Sequence, residues 1–104
     1  MIVQIVKFKS RLSHAEVDAT YEKRSPRYRA LEGLIQKYDL RFSESGENGA
    51  VYLWRSREDL ERFRQSDLGQ TIRDAYEVEG DPSSEIAELV MALRPGAEEG
   101  SGDA

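Results

Sequence analysis

The sequence contains no cysteine, and His14 is the single histidine among its 104 residues. Without cysteine the chain can form no disulfide, no thiolate metal site and no cysteine nucleophile, which fits a reducing compartment. One imidazole and a set of carboxylates make a poor ligand set for a transition metal, so we expect no metal site. His14 falls in the first turn of a predicted helix, where we expect it to be exposed and without a catalytic role.

A long apolar run and an excess of basic residues are missing as well. No segment approaches the roughly 20 apolar residues of a membrane-spanning helix. Residues 1–8 are apolar but lack the basic start and the small-residue cleavage site of a signal peptide. The formal net charge is −5, which argues against nucleic acid because phosphate binding requires clustered positive charge. We therefore expect a cytoplasmic protein that binds neither membrane nor nucleic acid.

Two glycine-containing motifs are absent from the chain. There is no glycine-rich phosphate loop, because Gly46 and Gly49 fall in a predicted hairpin and not between a strand and a helix. There is also no nucleophile elbow of the kind that hydrolases carry. These absences exclude the common nucleotide-binding and serine-hydrolase sites.

Four segments have the length and apolar pattern of β-strands: residues 2–8, 34–42, 49–55 and 85–93. The first is apolar on both faces, which predicts a central strand. The polar loop that ends in Asn48-Gly49 joins the second and third segments into a hairpin. This hairpin is the best-defined local feature of the sequence.

Alternation assigns the hairpin side chains to two faces. On the second strand, Leu34 and Tyr38 share one face and Lys37 lies on the other. On the third strand we expect Tyr52 and Trp54 not to be neighbours, so that at most one of them lines a given pocket.

A capping box formed by Ser13 and Glu16 predicts the start of the first helix. One stripe of side chains then recurs at spacings of three and four residues and predicts the buried face: Val17, Tyr21, Arg24, Tyr28 and Leu31. Pro26 predicts a kink or a new helix start near Ser25, and Gly33 predicts the end of the helical segment.

Ser56 begins a second helix, whose apolar contacts are Leu60 and Phe63. Ser66-Asp67 begins a further short helix, and the residues 80–82, Gly-Asp-Pro, predict a break before the last strand. We expect one domain over residues 1–94 and a disordered acidic tail over residues 95–104.

The order β-α-β-β-α-β predicts an α+β, ferredoxin-like sandwich: one antiparallel sheet with helices on one face. Several strands are apolar on both faces, and a monomer would leave one of those faces in water. We therefore expect a homodimer with twofold symmetry, in which two sheets pack face to face.

Several segments resemble the dimeric α+β barrel superfamily, and within it the small monooxygenases related to the antibiotic-biosynthesis monooxygenases. These segments are Ser25-Pro26-Arg27-Tyr28, residues 33–38 (GLIQKY), residues 49–54 (GAVYLW), Ser56-Arg57-Glu58 and Ala75-Tyr76. The resemblance covers residues 1–94. It implies pairing into a dimeric α+β barrel with a pocket between sheet and helices. In the oxygenase members a phenol or hydroquinone reacts there with dioxygen without flavin or metal. The haem-degrading branch uses a histidine on a later helix, and residues 56–79 contain none.

The candidate site residues follow from this chemistry, which needs a base, groups that stabilise a phenolate, and an apolar enclosure. As catalytic residues we expect Lys37, Trp54 and Tyr28; as substrate-binding residues we expect Arg24, Tyr38, Tyr52 and Tyr76. Lys37 is either a phenolate partner or the ion-pair partner of a helix acid. Arg24 either keeps its head group in water or binds an anion inside a pocket.

Two functions remain open at this point. One is a monooxygenase without cofactor that acts on a small aromatic or polyketide-like compound, and it predicts an enclosed apolar cavity that contains Lys37 or Arg24. The other is a non-catalytic homodimeric barrel that binds a small hydrophobic ligand. It predicts a filled or shallow cavity with the aromatic candidates packed as core.

Overall fold

The predicted element order is present in the computed structural model, which describes residues 1–94 and residue 96. Its strands and helices are β1 (Ile2–Ser10), α1 (His14–Arg29), β2 (Leu34–Arg41), β3 (Asn48–Trp54), α2 (Arg57–Gln65), α3 (Asp67–Gln70), α4 (Ile72–Ala75) and β4 (Val78–Glu88). The second helical region is thus divided into α2, α3 and α4. None of the helices in this part of the chain is long and apolar enough to cross a membrane.

The strands form one sheet in the order β2-β3-β1-β4, and every neighbouring pair is antiparallel. Helices α1 to α4 cover one face, where Trp54, Leu60 and Val17 are completely buried. On the opposite face Ile5 and Tyr38 are 40% and 49% exposed. The predicted α+β, ferredoxin-like fold is confirmed, and one sheet face of the single chain is in water.

Helix α1 begins as predicted and runs further than predicted. Ser13 accepts from the Glu16 N–H and its own N–H donates to the Glu16 carboxylate, which completes the capping box. The prediction of a new helix start near Ser25 is wrong, because α1 is continuous through Pro26. Pro26 cannot donate to the Glu22 carbonyl, and the Ser25 hydroxyl donates to that carbonyl instead, at 2.8 Å.

An irregularity in β2 changes the predicted faces of that strand. Leu34 pairs with Trp54, whereas Gln36 pairs with Leu53, so Ile35 is an extra residue in the ladder. Beyond this bulge the alternation continues as predicted. Leu34 therefore faces the helices together with Lys37, and its predicted grouping with the residues on the Tyr38 side is wrong.

Strand β4 covers Val78–Glu88 and not the predicted residues 85–93. Lys7 pairs with Ser83 while Lys9 pairs with Glu79, so three residues of β4, 80–82, lie opposite one residue of β1. The Gly-Asp-Pro segment is thus a bulge within the strand and not a break. The predicted disordered tail comprises residues 95–104. Apart from residue 96 it lies outside the described residues.

Candidate functional site

Lys37 projects from β2 toward the helices and is enclosed by three tyrosine rings. Its Nζ lies 4.4 Å from the centre of the Tyr28 ring and 5.3 Å from the centres of the Tyr21 and Tyr52 rings. The Lys37 side chain is only 11% exposed and forms an ion pair with Asp39, two residues along the strand. We call Lys37, Tyr21, Tyr28 and Tyr52 the Lys37 cage. Cation–π attraction and the carboxylate both favour the ammonium form of Lys37.

Burial sets the ionisation of the cage. It lowers the pKa of Lys37, and the nearby carboxylate of Asp39 acts against this decrease. Burial raises the pKa of Tyr28 and raises the pKa of Tyr52 well above its ordinary value. The pKa of Tyr21 is raised for the same reason. The raised pKa values keep the three phenols protonated and uncharged at neutral pH, and the ion pair with Asp39 favours the charged form of Lys37.

Two cavities meet at the cage. The first, the Lys37 cleft, has a volume of about 370 Å³ and lies between α1 and β2. It is lined by Tyr21, Ser25, Tyr28, Arg29, Leu34, Ile35, Gln36, Lys37 and Asp39. The second, the inner chamber, has a volume of about 50 Å³ and lies between sheet and helices. It is lined by Gln4, Val6, Phe8, Tyr21, Tyr28, Lys37, Ala50, Tyr52, Phe63, Ile72 and Tyr76.

A third cavity lies on the far side of the inner chamber. This β4 cleft has a volume of about 450 Å³ and extends from β1 and β4 to α2, α3 and α4. It shares five residues with the inner chamber: Gln4, Val6, Phe8, Phe63 and Ile72. It does not include Lys37. The inner chamber therefore separates two open clefts, and the cationic site belongs to the Lys37 cleft.

Arg24 joins α1 to α3 and does not extend into solvent. Its Nη2 donates to the Leu68 carbonyl at 2.8 Å and to the Thr71 hydroxyl at 3.3 Å. Its Nε is buried without a hydrogen-bond partner, and its guanidinium lies 5.8 Å from the centre of the Tyr76 ring. The interpretation of Arg24 as a side chain with its head group in water is thus wrong. Arg24 thus provides a second positive charge, after Lys37, and holds it beside the inner chamber.

Trp54 and Tyr52 are neighbours on one face of β3. Their rings stack with centres 5.7 Å apart and planes inclined by 7°. The prediction that they cannot be neighbours is wrong, because residues two apart in a strand point to the same face. Trp54 is completely buried, its Nε1 donates to Gln4 Oε1 at 3.1 Å, and it lines neither the Lys37 cleft nor the inner chamber. Tyr52 lines the inner chamber.

The two remaining tyrosine candidates lie on opposite sides of the sheet. Tyr76 is 3% exposed and lines the inner chamber, with its ring centre 5.4 Å from that of Tyr21. Tyr38 lies on the uncovered face, where it pairs with Val51. Adjacent residues of a strand point in opposite directions, so Tyr38 cannot share a pocket with Lys37 in one chain. His14 is exposed as expected, with Nε2 3.0 Å from the Gly46 carbonyl oxygen.

Three residues of the site were not among the sequence-based candidates. Asp39 lines the Lys37 cleft and pairs with Lys37. Tyr21 contributes a wall of the cage and donates from its hydroxyl to the Gly49 carbonyl at 3.0 Å. Its place on the same helical stripe as Tyr28 was the available signal. Gln4 lines the inner chamber, and its signal was a polar residue on the otherwise apolar face of β1. Within the described residues no group of three or more His, Asp or Glu side chains is placed to hold a metal ion.

Several solved structures have the same fold as this chain, although no protein family model and no curated protein matches its sequence. Among solved structures, SnoaB, a cofactor-independent oxygenase from Streptomyces nogalater, has a TM-score of 0.73 at 10% identity over 90% of this chain and 97% of its own. Rv0793 from Mycobacterium tuberculosis has a TM-score of 0.73 at 17% identity over 89% of this chain and 98% of its own. The solved structure of an antibiotic biosynthesis monooxygenase has a TM-score of 0.68 at 11% identity, over 88% of this chain and 100% of its own.

This chain has their fold. The resemblance that the sequence suggested is thereby confirmed for the architecture: the three matches cover 88% to 90% of this chain and 97% to 100% of the solved proteins. Identities of 10% to 17% establish the fold alone, so the reaction has to be argued from the Lys37 cage and its cavities.

Proposed function

We propose that this protein is a cofactor-independent monooxygenase that oxidises a small aromatic or polyketide-like substrate in the Lys37 cleft. The observation that carries the proposal is a buried lysine among three tyrosine rings at a cleft of about 370 Å³. That volume is within the range of small-molecule sites. The description of SnoaB as a cofactor-independent oxygenase agrees with it.

The proposed chemistry uses the cage to hold a phenolate. The substrate phenol loses its proton to the Asp39 carboxylate, and the Lys37 ammonium, whose side chain is only 11% exposed, stabilises the anion. The electron-rich anion then reduces dioxygen. A substrate CH₂ group and O₂ become a C=O group and water, so the substrate supplies all four electrons and one oxygen atom enters the product.

The other candidates support this arrangement to different degrees. Tyr28 lines both the Lys37 cleft and the inner chamber, and in this proposal its hydroxyl donates a hydrogen bond to the substrate oxygen. The inner chamber lies beyond Tyr28 and is lined by Tyr52 and Tyr76, with Arg24 beside Tyr76. In this proposal these side chains shape the electrostatic field at the substrate oxygen. Trp54 does not touch the substrate in this proposal. Its ring stacks on Tyr52 and so fixes the position of that wall of the cage.

We also propose that two copies pair through the uncovered sheet face. Ile5 and Tyr38 are exposed there, and they adjoin the apolar residues Val3, Val51 and Leu53 of the same face. A contiguous apolar surface of this kind is costly in water and is characteristic of an interface. In this arrangement Tyr38 acts at the subunit interface and not in the substrate site.

Oxygen consumption tests the proposed reaction. The protein is mixed with a panel of anthrones and other phenols that carry a benzylic CH₂ group under ¹⁸O₂, and uptake is followed with an oxygen electrode and mass spectrometry. We expect uptake above the uncatalysed rate for at least one compound, with one ¹⁸O atom in the product and the other in water. Absence of enzyme-dependent uptake across the panel, or entry of both labelled atoms into the product, would contradict the proposal.

A non-catalytic barrel that binds a small hydrophobic ligand is the second candidate. The small inner chamber and the packing of Trp54 in the core favour it, because both leave little enclosed volume beside the cage. This function predicts that aromatic compounds raise the melting temperature of the protein while oxygen consumption stays at background. The two measurements together separate a binding protein from an oxygenase.

A further inference from the structure

The inner chamber cannot hold the substrate that we propose. Its volume is about 50 Å³, whereas a protein cavity that accepts benzene measures about 150 Å³ and a single water requires about 10–15 Å³. The chamber thus has room for a diatomic molecule or for water, but not for an aromatic ring. It adjoins the substrate position, because Tyr21, Tyr28 and Lys37 line both it and the Lys37 cleft.

The chamber wall is largely apolar. Five of its side chains present only carbon: Val6, Phe8, Ala50, Phe63 and Ile72. Polar atoms of two other lining residues are engaged elsewhere: the Tyr21 hydroxyl donates to the Gly49 carbonyl, and Gln4 Oε1 accepts from Trp54 Nε1. Apolar gases occupy apolar protein cavities, and the carbon-rich part of this wall suits such a molecule. Water in the chamber would have the Lys37 ammonium and the hydroxyls of Tyr28, Tyr52 and Tyr76 as partners, so xenon binding distinguishes the two occupants.

Two positive charges lie at the chamber: Lys37 is one of its lining residues, and Arg24 lies beside one of its aromatic walls. Lys37 Nζ lies 4.4 Å from the ring centre of Tyr28, and the Arg24 guanidinium lies 5.8 Å from the ring centre of Tyr76. Both rings line the chamber. Because the surroundings are buried and of low dielectric, an anion formed between these cations is stabilised much more than it would be in water.

We infer that the inner chamber is the dioxygen compartment of the site, and that Lys37 and Arg24 stabilise the superoxide formed in it. The inference rests on the proposed monooxygenase function. The substrate anion in the Lys37 cleft transfers one electron to dioxygen, which gives a substrate radical and superoxide. These combine into a C–O bond, the resulting peroxide takes up a proton, and cleavage of its O–O bond with loss of water leaves the carbonyl product.

Xenon reports on the chamber independently of activity. Crystals of the wild type, of Ala50→Val and of Ala19→Val are pressurised with xenon and their diffraction is measured. Ala50 lines the chamber, so the two added methyl groups narrow it, whereas Ala19 is exposed on α1 and serves as the matched control. We expect xenon in the chamber of the wild type and of Ala19→Val, and none in Ala50→Val. Should Ala50→Val fail to fold, Val6→Ile narrows the same chamber.

Oxygen kinetics then connect the chamber to the reaction. In Ala50→Val we expect the KM for dioxygen to rise by about tenfold, while the KM for the aromatic substrate is unchanged. Ordered water in place of xenon in the wild type, or an unchanged oxygen KM in Ala50→Val, overturns the inference even if the substrate is oxidised. Xenon in the chamber of a protein that consumes no oxygen instead overturns the proposed function, and with it the catalytic role of the chamber.

Discussion

At the scale of single residues, the site depends on how far each side chain is removed from water. Lys37, Tyr28, Tyr52 and Tyr76 were candidates from the sequence, and the fold brings all four to the cage and the inner chamber. Tyr38 could not be assigned correctly by grouping aromatic residues along the hairpin, because strand alternation turns it to the opposite face. The two cations of the site also needed the structure, since a sequence does not show that Asp39, Leu68 and Thr71 are their partners.

The buried tyrosines predict how stability depends on pH. Burial raises the pKa of Tyr28 and Tyr52 above their ordinary value of 10.0. Above about pH 10 the unfolded chain loses these protons while the folded chain keeps them, so the free energy of unfolding falls as the pH rises. Denaturant unfolding at about pH 8 to about pH 11 measures the free energy of unfolding across this range. We expect its decrease with pH to be shallower in Tyr52→Phe than in the wild type. A pH dependence identical in Tyr52→Phe and wild type would contradict the burial of that hydroxyl.

At the scale of elements, caps and turns were predicted well and irregular strands were not. The capping box of α1, the Ser56 cap of α2, the hairpin and the apolar contacts of α2 each depend on two to four neighbouring residues, so the local sequence is sufficient. The bulges in β2 and β4 depend on pairing with strands far away in the chain. Gly80-Asp81-Pro82 therefore appeared to be a break, although β4 continues through it.

Gly33, directly before β2, packs against Asp59 of α2 and leaves no room for a side chain. Gly33 has a φ of +92°, and a Cβ there would lie 2.3 Å from Asp59 Cγ. Asp59 cannot move away easily, because the Ser56 hydroxyl and the Arg62 guanidinium donate to it at 2.8 and 2.7 Å. We expect Gly33→Ala to lower the free energy of unfolding by about 3 kcal/mol or more.

Gly46→Ala is the matched control for this variant. Its φ is +76°, but the atom nearest to an added Cβ is His14 Nε2 at 3.9 Å, so it carries the backbone strain without the clash. We expect a loss of about 1 kcal/mol by chemical denaturation. Equal losses for the two alanine variants would show that the contact with Asp59 does not constrain Gly33.

At the scale of the whole molecule, the element order alone was enough to predict the fold. Four strands and two helical regions in this order have few ways to cover a sheet, which is why the architecture could be derived without knowledge of the bulges. The volumes of the cavities could not be derived, because they depend on how the side chains of all eight elements pack together. The uncovered sheet face links the fold to the proposed pairing of two copies.

A charge on that face tests the pairing. Ile5 is exposed at its centre, between Val51 of β3 and Glu85 of β4. We expect sedimentation equilibrium at micromolar concentration to give a dimer for the wild type and a folded monomer for Ile5→Lys. Ala19→Lys adds the same charge on exposed α1 and should stay dimeric. A wild-type monomer under these conditions would rule out the proposed interface.

In the proposed reaction the Lys37 cage holds the oxyanion of a phenol. Absorbance titration of bound 4-nitrophenol measures this directly, in the wild type, in Lys37→Met and in the exposed control Lys9→Met. We predict that the bound phenol ionises at a lower pH than the free phenol in the wild type and in Lys9→Met, and that Lys37→Met abolishes this shift. An ionisation of the bound phenol that is the same with and without the Lys37 ammonium would contradict the account.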